Sequence, residues 1–232
     1  MTQRLNAISS LHYDFKHFPG SSHWLLIRAI RRNPKWSGAL LDIGAAGGEL
    51  ASFLAEDFDR LIGVEGDPAR VEALSRYFDQ AFVADLNHLE RLPAAAAVIM
   101  GDVLEHLPRA GPLLRLVRDS IAPDGRLYVS VPNIANVTVR LSLLFGRWSY
   151  ADRGILDRTH LRFYTRRTIE AELREHGFEP VKIEATTMPI RLVLEGRLPA
   201  AAIRFGERLL LATTAIFPAL LGYQWVITAR PV

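Results

Sequence analysis

Leu40-Leu41-Asp42-Ile43-Gly44-Ala45-Ala46-Gly47-Gly48-Glu49-Leu50 decides the fold. Apolar, β-prone residues run into a loop of small residues, and a helical pattern follows. A strand turning sharply into a helix gathers backbone N–H groups and the positive end of a helix dipole at one point. Bulky side chains between Gly44 and Gly48 would hold a ligand away from that backbone. The turn reads as a nucleotide- or nucleoside-binding loop.

From this loop outward, strand and helix signals alternate. Ala39–Ile43 reads as the first strand and Glu49–Glu56 as its helix. Arg60–Glu65 reads as the second strand, followed by helical spacing over Pro68–Phe78 with Pro68 in the first turn. Gln80–Ala84 is a short strand ending at Asp85, and Ala96–Gly101 is the fourth. Pro112–Ile121 has helical spacing and closes on the turn signal Ala122-Pro123-Asp124-Gly125. Arg126–Val131, Phe178–Thr186 and Gln224–Arg230 are the last three strands. A helix over Thr168–His176 precedes the second of these, with Gly177 as its C-cap. Such alternation predicts an α/β doubly wound, mostly parallel sheet that binds ligands at the carboxyl ends of its strands. Residues 1–36 form a separate helical cap on this reading, and 37–232 one domain. Inserts at 134–167 and 188–223 interrupt that domain.

The chain has 232 residues, 49% of them hydrophobic, enough for one domain with a sizeable core. It has no cysteine, which excludes disulfides and thiolate metal sites and fits a reducing, cytoplasmic setting. Met1 to Ser10 lacks the apolar stretch of a signal peptide, and no apolar run reaches the roughly 20 residues of a membrane span. The pI of about 9.4 comes almost wholly from arginine, since Lys16, Lys35 and Lys182 are the lysines. Guanidinium groups bind phosphate and carboxylate bidentately, so an anionic acceptor is one reading of this bias and coding preference is the other.

The loop fits G-x-G-x-x-G poorly, with Ala46 at the second glycine position and Glu49 at the third. It fits D-x-G-x-(G/A)-x-G at Asp42, Gly44, Ala46 and Gly48. Glu65 ends the next strand, placed to accept both ribose hydroxyls of an adenosine. Asp85 ends the third strand, placed to meet an adenine edge. With these residues the chain resembles the class I S-adenosylmethionine-dependent methyltransferases, over roughly Tyr13 to Val232. Leu41–Gly48 resembles their glycine-rich motif and Val64-Glu65-Gly66-Asp67-Pro68 their acidic motif. Val83-Ala84-Asp85-Leu86 resembles the adenine-contacting motif, and Asp102-Val103-Leu104-Glu105-His106-Leu107-Pro108 the D-x-L-E-H segment of a branch with ubiquinone-pathway O-methyltransferases. Ala122-Pro123-Asp124-Gly125-Arg126-Leu127 resembles the turn before the fifth strand, with Asp124 in place of glycine. Val131-Pro132-Asn133, Gly146-Arg147-Trp148 and Gly154–Thr165 resemble a bacterial sub-branch that accompanies sugar-modifying and cell-surface glycan enzymes.

The resemblance implies a seven-stranded Rossmann-like sheet of order 3-2-1-4-5-7-6 with strand seven antiparallel. It implies S-adenosyl-L-methionine as cofactor, held by Asp42, Gly44, Ala45, Gly48, Glu65, Gly66, Asp85, Leu86, Asp102 and Leu104. The activity implied is methyl transfer to a small-molecule or sugar-containing acceptor, and the D-x-L-E-H kinship tilts this toward oxygen. No N/D-P-P-Y/F motif supports DNA adenine chemistry.

His106, just past the fourth strand, and His160, between Arg158 and Arg162, are the candidate bases. The flanking arginines disfavour a charged His160. A packed, hydrogen-bonded structural histidine is the competing reading of each. His12, His17, His23, His88 and His176 read as surface or cap residues. No His/Asp/Glu group has local metal-ligand spacing, so no metal is expected. Arg140 to Arg167 holds seven arginines with Phe145, Trp148, Tyr150, Phe163 and Tyr164. It reads as a lid that grips an anionic, ring-bearing acceptor, or as a solvated cover.

Leu198–Tyr223 is apolar apart from Arg204, Glu207 and Arg208. It packs on the sheet, on a second copy in a homodimer, or on the inner face of a membrane. The rival functions are an oxidoreductase or sugar epimerase, a catalytically silent cofactor-binding subunit of a membrane glycan assembly, and an RNA methyltransferase. The first lacks a Tyr-x-x-x-Lys pair, and the last lacks any RNA-binding module, so no nucleic-acid partner is expected.

Overall fold

A computed structural model describes residues 18–33 and 36–232. His12, Tyr13, Lys16, His17 and Lys35 lie outside them. Along the chain run α1 (Ser22–Ile30), β1 (Ala39–Ile43), α2 (Glu49–Ser52), β2 (Arg60–Glu65), α3 (Pro68–Leu74), β3 (Gln80–Val83) and β4 (Ala95–Gly101). They are followed by α4 (Gly111–Ser120), β5 (Ile121–Pro132), α5 (Val137–Leu144), α6 (Arg166–Glu175) and β6 (Phe178–Ala185). The chain ends with α7 (Arg191–Leu194), α8 (Ala200–Ile216), α9 (Pro218–Leu221) and β7 (Gln224–Pro231).

The strands form one sheet of order β3-β2-β1-β4-β5-β7-β6. The pairs joining β3, β2, β1, β4 and β5 are parallel, and β7 runs antiparallel between β5 and β6. This is the Rossmann-like arrangement that the sequence implied. Every residue of β1 is buried, as is nearly all of β4. Strands covered on both faces require apolar residues at successive positions, and Leu40, Leu41 and Ile43 meet that need. Asp42 is the exception. Chain direction across the sheet reverses between β1 and β4, and that switch point opens the crevice.

One core cluster joins Ile43, Val98 and Val129 to Leu113 and Val117 of α4 and Leu173 of α6. The other joins Leu40 and Ile99 to Leu26 and Ile30 of α1. α1 thus belongs to the helical layer of the domain.

The helix expected over Glu49–Glu56 stops at Ser52 and continues as a 3-10 turn over Ala55–Asp57. The turn expected at 122–125 lies inside β5, as an irregularity between the Ala95 and Ala97 pairings. α6 starts earlier than its periodicity suggested, because Thr165 and Thr168 form a capping box.

The apolar stretch forms α8 and α9, but packing on the sheet accounts for little of α8. Only Ile203 and Thr214 of that helix are buried, while Phe205 is 70% and Ile216 67% exposed. Apolar surface of this kind marks a contact region. Among the described residues no helix is long and apolar enough to cross a membrane.

Candidate active site

The glycine loop closes on itself. Gly44 and Ala45 N–H both donate to the Val64 carbonyl (2.8 and 3.1 Å), and Gly48 N–H to the Ala45 carbonyl. Ala46 N–H donates to one Glu65 oxygen at 2.8 Å, and Asp67 N–H to the other at 3.0 Å. Gly44 (φ +76°), Ala46 (φ +49°) and Gly48 (φ +82°) adopt left-handed backbone, which glycine takes without strain. A Cβ on Gly44 would stand 2.6 Å from the Val103 side chain.

A phosphate cradle needs free N–H groups at a helix start. Here Gly44, Ala45, Ala46 and Gly48 have spent theirs on the chain itself. Glu49 adds an anion at the mouth of a four-residue helix. The spent N–H groups and the Glu49 carboxylate weigh against a pyrophosphate and suit a cationic ligand.

His23, Asp42, Gly44, Ala46, Glu49 and Gly101 line the crevice. His23 reaches it from the first turn of α1, half-buried. The crevice is open on one side, and its volume of about 30 Å³ gives room for a water. The Glu49 carboxylate lies over Gly47. Glu49 is half-buried at the mouth of the crevice. Asp42 is 3% exposed. Burial, then the Glu65 charge, pushes its carboxyl up to about 7. A cationic ligand would offset both causes.

Other cofactor candidates lie as follows. Gly66 follows Glu65 at the mouth of β2. Asp85 is a turn cap, bonded to Asn87 N–H (2.9 Å), the Asn87 amide and His88 Nδ1 (2.8 Å). These bonds, the Asn87 N–H first, hold its carboxyl at about 2. Leu86 packs on the core, and Leu104 is fully buried within it. Asp102, at φ +54°, accepts from Ser130 Oγ at 2.6 Å and from the Gln224 amide at 2.8 and 2.7 Å.

Beyond β4, a 3-10 turn over Leu104–His106 carries Glu105 and His106. His160 arrives from the insert. Asp157 accepts from Thr159 N–H and Oγ1 (2.8 and 2.7 Å), a turn that aims the next residue. Leu161 and Arg162 N–H both donate to the Glu105 carbonyl, and Asn133 bridges to Tyr164. The two imidazoles meet edge to face, 4.9 Å apart. His106 Nδ1 donates to the Thr159 carbonyl at 3.3 Å, and His160 Nδ1 to the Ile155 carbonyl at 3.1 Å.

His160 is held below the usual histidine range, first by burial and then by His106. The direction is the one expected, but the cause is not the flanking arginines. Arg158 pairs with Asp152, and Arg162 with Glu172. Rings continue outward from His160 to Phe163 (6.4 Å), Trp148 (5.4 Å further) and Tyr150.

No local spacing pointed to metal ligands, but the fold brings three potential ones together. Glu105, His106 and His160 offer one ligand atom each, all within 4.8 Å of one another. Local spacing could not show this, because the third member returns through the insert. Glu105, Ser130 and Gln224 also escaped the sequence reading. The only signal for Glu105 was its place between Leu104 and His106.

Residues 24–183, more than half of the chain, match the family described as "Methyltransferase domain". The chain belongs to this family. Its sheet and cofactor class are those of the S-adenosylmethionine-dependent class I methyltransferases. No curated protein matches the sequence.

Solved structures similar to this methyltransferase include a SAM-dependent methyltransferase from Archaeoglobus fulgidus (21% identity, 92% of this chain and 96% of that one, TM-score 0.58). Another is the 1,6-didemethyltoxoflavin-N1-methyltransferase of Burkholderia thailandensis (18%, 99% and 87%, 0.62), with its substrate and S-adenosylhomocysteine bound. A third is the N-methyltransferase NodS of Bradyrhizobium japonicum (15%, 99% and 97%, 0.61). At such identities they share the fold with this chain.

Proposed function

We propose that this methyltransferase methylates a hydroxyl oxygen on a small, ring-bearing or sugar-containing acceptor. S-adenosylmethionine supplies a methyl group already activated on a sulfonium. The chain's own work is to bind, align and deprotonate. The left-handed turn at Gly44–Gly48 admits the cofactor, Glu65 accepts from ribose hydroxyls, and Asp42 and Glu49 face the cationic end. A catalytic body over 37–232, with α1 packed on its sheet and a lid at 134–167, follows the same division of labour.

The observation that carries the oxygen reading is the His106–His160 pair beside the switch point. A hydroxyl must lose a proton as it attacks, whereas an amine need only be neutral. Two imidazoles with Nδ1 committed to carbonyls keep Nε2 as proton acceptor. Alignment itself can be worth about 10⁵–10⁸ M in effective molarity. The ring series from His160 to Tyr150 offers a wall for a cyclic acceptor. Exposed Arg147 and Arg153 on the same insert favour an anionic one.

The test is incubation with S-adenosylmethionine and a panel of phenolic and sugar hydroxyl acceptors, read by mass spectrometry with the methylated atom assigned. Methyl found on nitrogen would overturn the oxygen reading. Binding of NAD(P) in preference to S-adenosylmethionine would overturn the cofactor assignment. The homodimer and membrane-surface readings both rest on the exposed face of α8, and sedimentation against vesicle flotation separates them.

A further inference from the structure

Glu105 is 1% exposed, and neither carboxylate oxygen has a hydrogen-bond partner. A buried carboxylate without partners is costly, and proteins keep such groups where a proton or a cation completes them. Burial, together with the charges of Asp102 and Asp157, pushes its carboxyl well above the usual range.

One ring nitrogen of each histidine and one Glu105 oxygen lie within 4.8 Å of one another. A carbonyl only accepts, so Thr159 and Ile155 fix the proton of each ring on Nδ1. Nε2 is then the bare nitrogen of each neutral imidazole. Metal-binding histidines are commonly oriented in this way, with the second nitrogen donating to a carbonyl.

We infer that Glu105, His106 and His160 hold a divalent transition-metal ion. Two nitrogens and one carboxylate favour Zn²⁺, Mn²⁺ or Fe²⁺ over Mg²⁺ or Ca²⁺, which prefer oxygen. Three protein ligands leave coordination positions open, as in catalytic rather than structural sites. Ligand atoms within 4.8 Å of one another need only a small inward movement to reach bonds of about 2.0–2.2 Å. Half-buried His106 leaves one side of the cluster toward solvent.

The inference rests on the proposed hydroxyl acceptor and refines how its proton is lost. An ion there binds the acceptor oxygen through an open position and lowers the pKa of its O–H. The O–H bond breaks, its electron pair stays on oxygen, and the proton passes to water. His106 and His160 then act as ligands, not as free bases.

The experiment uses the full chain stripped with chelator and titrated with Co²⁺, read by visible absorption and calorimetry. S-adenosylhomocysteine binding is measured alongside. Stoichiometric Co²⁺ uptake, displaced by Zn²⁺, is expected. Glu105→Gln and His160→Gln should each weaken it by at least about 100-fold. Both should keep the wild-type circular dichroism and S-adenosylhomocysteine affinity. Glu105→Gln in particular removes a costly buried charge.

Absence of stoichiometric Co²⁺ binding, or binding retained in both variants, would overturn the metal site and leave a histidine base standing. Loss of S-adenosylhomocysteine binding in the wild type would instead overturn the cofactor reading.

Discussion

The two sides of the crevice are built differently. On the cofactor side, residues 42–48 and Glu65 come from adjacent strands. Their geometry is backbone geometry, with Gly44, Ala45 and Ala46 N–H all bonded to Val64 or Glu65. On the acceptor side, geometry comes from side chains and long returns of the chain. His106 bonds a carbonyl 53 residues away, and Gln224 holds Asp102 from 122 residues away. A site made of backbone turns is written in local sequence. A site made of converging side chains is written in tertiary register.

The largest expected effect tests the acceptor side. His106→Ala should lower turnover by about 10²–10⁴-fold while S-adenosylmethionine affinity stays within about twofold, because the residue lies past β4 and outside the loop. Single-turnover rates and calorimetry give the two numbers. Near-normal turnover on the true acceptor would move the function to His160. Turnover unaffected in both single variants would favour alignment alone and an amine acceptor.

This contrast explains what the sequence disclosed. The doubly wound sheet and the Asp42–Gly48 turn follow from alternation and from small residues at one strand end, whereas the strand order and the antiparallel β7 were implied by the resemblance to class I methyltransferases. Alternation and small residues are both short-range signals. Glu105 stands in the D-x-L-E-H segment, but only its burial and missing partners set it apart from other acids. The cluster it forms with His160 depends on the Asp157 turn and on two N–H groups meeting one carbonyl. The place of His23 beside Asp42 and Gly44 in the crevice was not legible, because those neighbours are remote in sequence. The exposed face of α8 left three packing partners open in the sequence, because apolar content alone does not say which side is covered.

The next effect probes the one charge buried beneath the loop. Asp42 titrates at about 7 in the fold, against 3.8 for the ordinary carboxyl. Between these values the unfolded chain ionises and the folded chain does not. Stability from this group is therefore present in acid and lost as pH rises through 7. The full displacement corresponds to about 4 kcal/mol at most. Asp42→Asn has no such loss, so it should gain on the wild type between pH 5 and 8 in urea unfolding. A stability difference independent of pH would show that Asp42 is not buried as described. S-adenosylmethionine, being cationic, should narrow the gap at pH 8.

A somewhat smaller effect links the two sides. Gly44→Val places a β-branched residue at φ +76° with its Cβ 2.6 Å from Val103. Val103 leads into the turn that carries Glu105 and His106, so the clash should disturb both halves of the crevice. Strain and overpacking together should cost about 2–4 kcal/mol in thermal unfolding. S-adenosylhomocysteine binding should be lost. Wild-type affinity in this variant would contradict the placement of the loop.

The smallest expected effect is the sharpest test of the cofactor side. Glu65→Ala should weaken S-adenosylmethionine binding by at least about tenfold, since charge-assisted hydrogen bonds are worth about 1.5–3 kcal/mol. The structure adds a second route to the same loss, because Glu65 also accepts from Ala46 and Asp67 N–H. Losing the carboxylate frees those donors and loosens the turn, so weaker binding alone does not identify a ribose contact. A cofactor analogue lacking the ribose 2′-hydroxyl separates the routes. If Glu65 accepts from the ribose, the analogue binds the wild type more weakly than the natural cofactor does, while Glu65→Ala binds the two alike. If Glu65 serves only the loop, the hydroxyl contributes equally in both proteins. Equal discrimination by the two proteins would make Glu65 a brace of the glycine turn and would leave the ribose to another group.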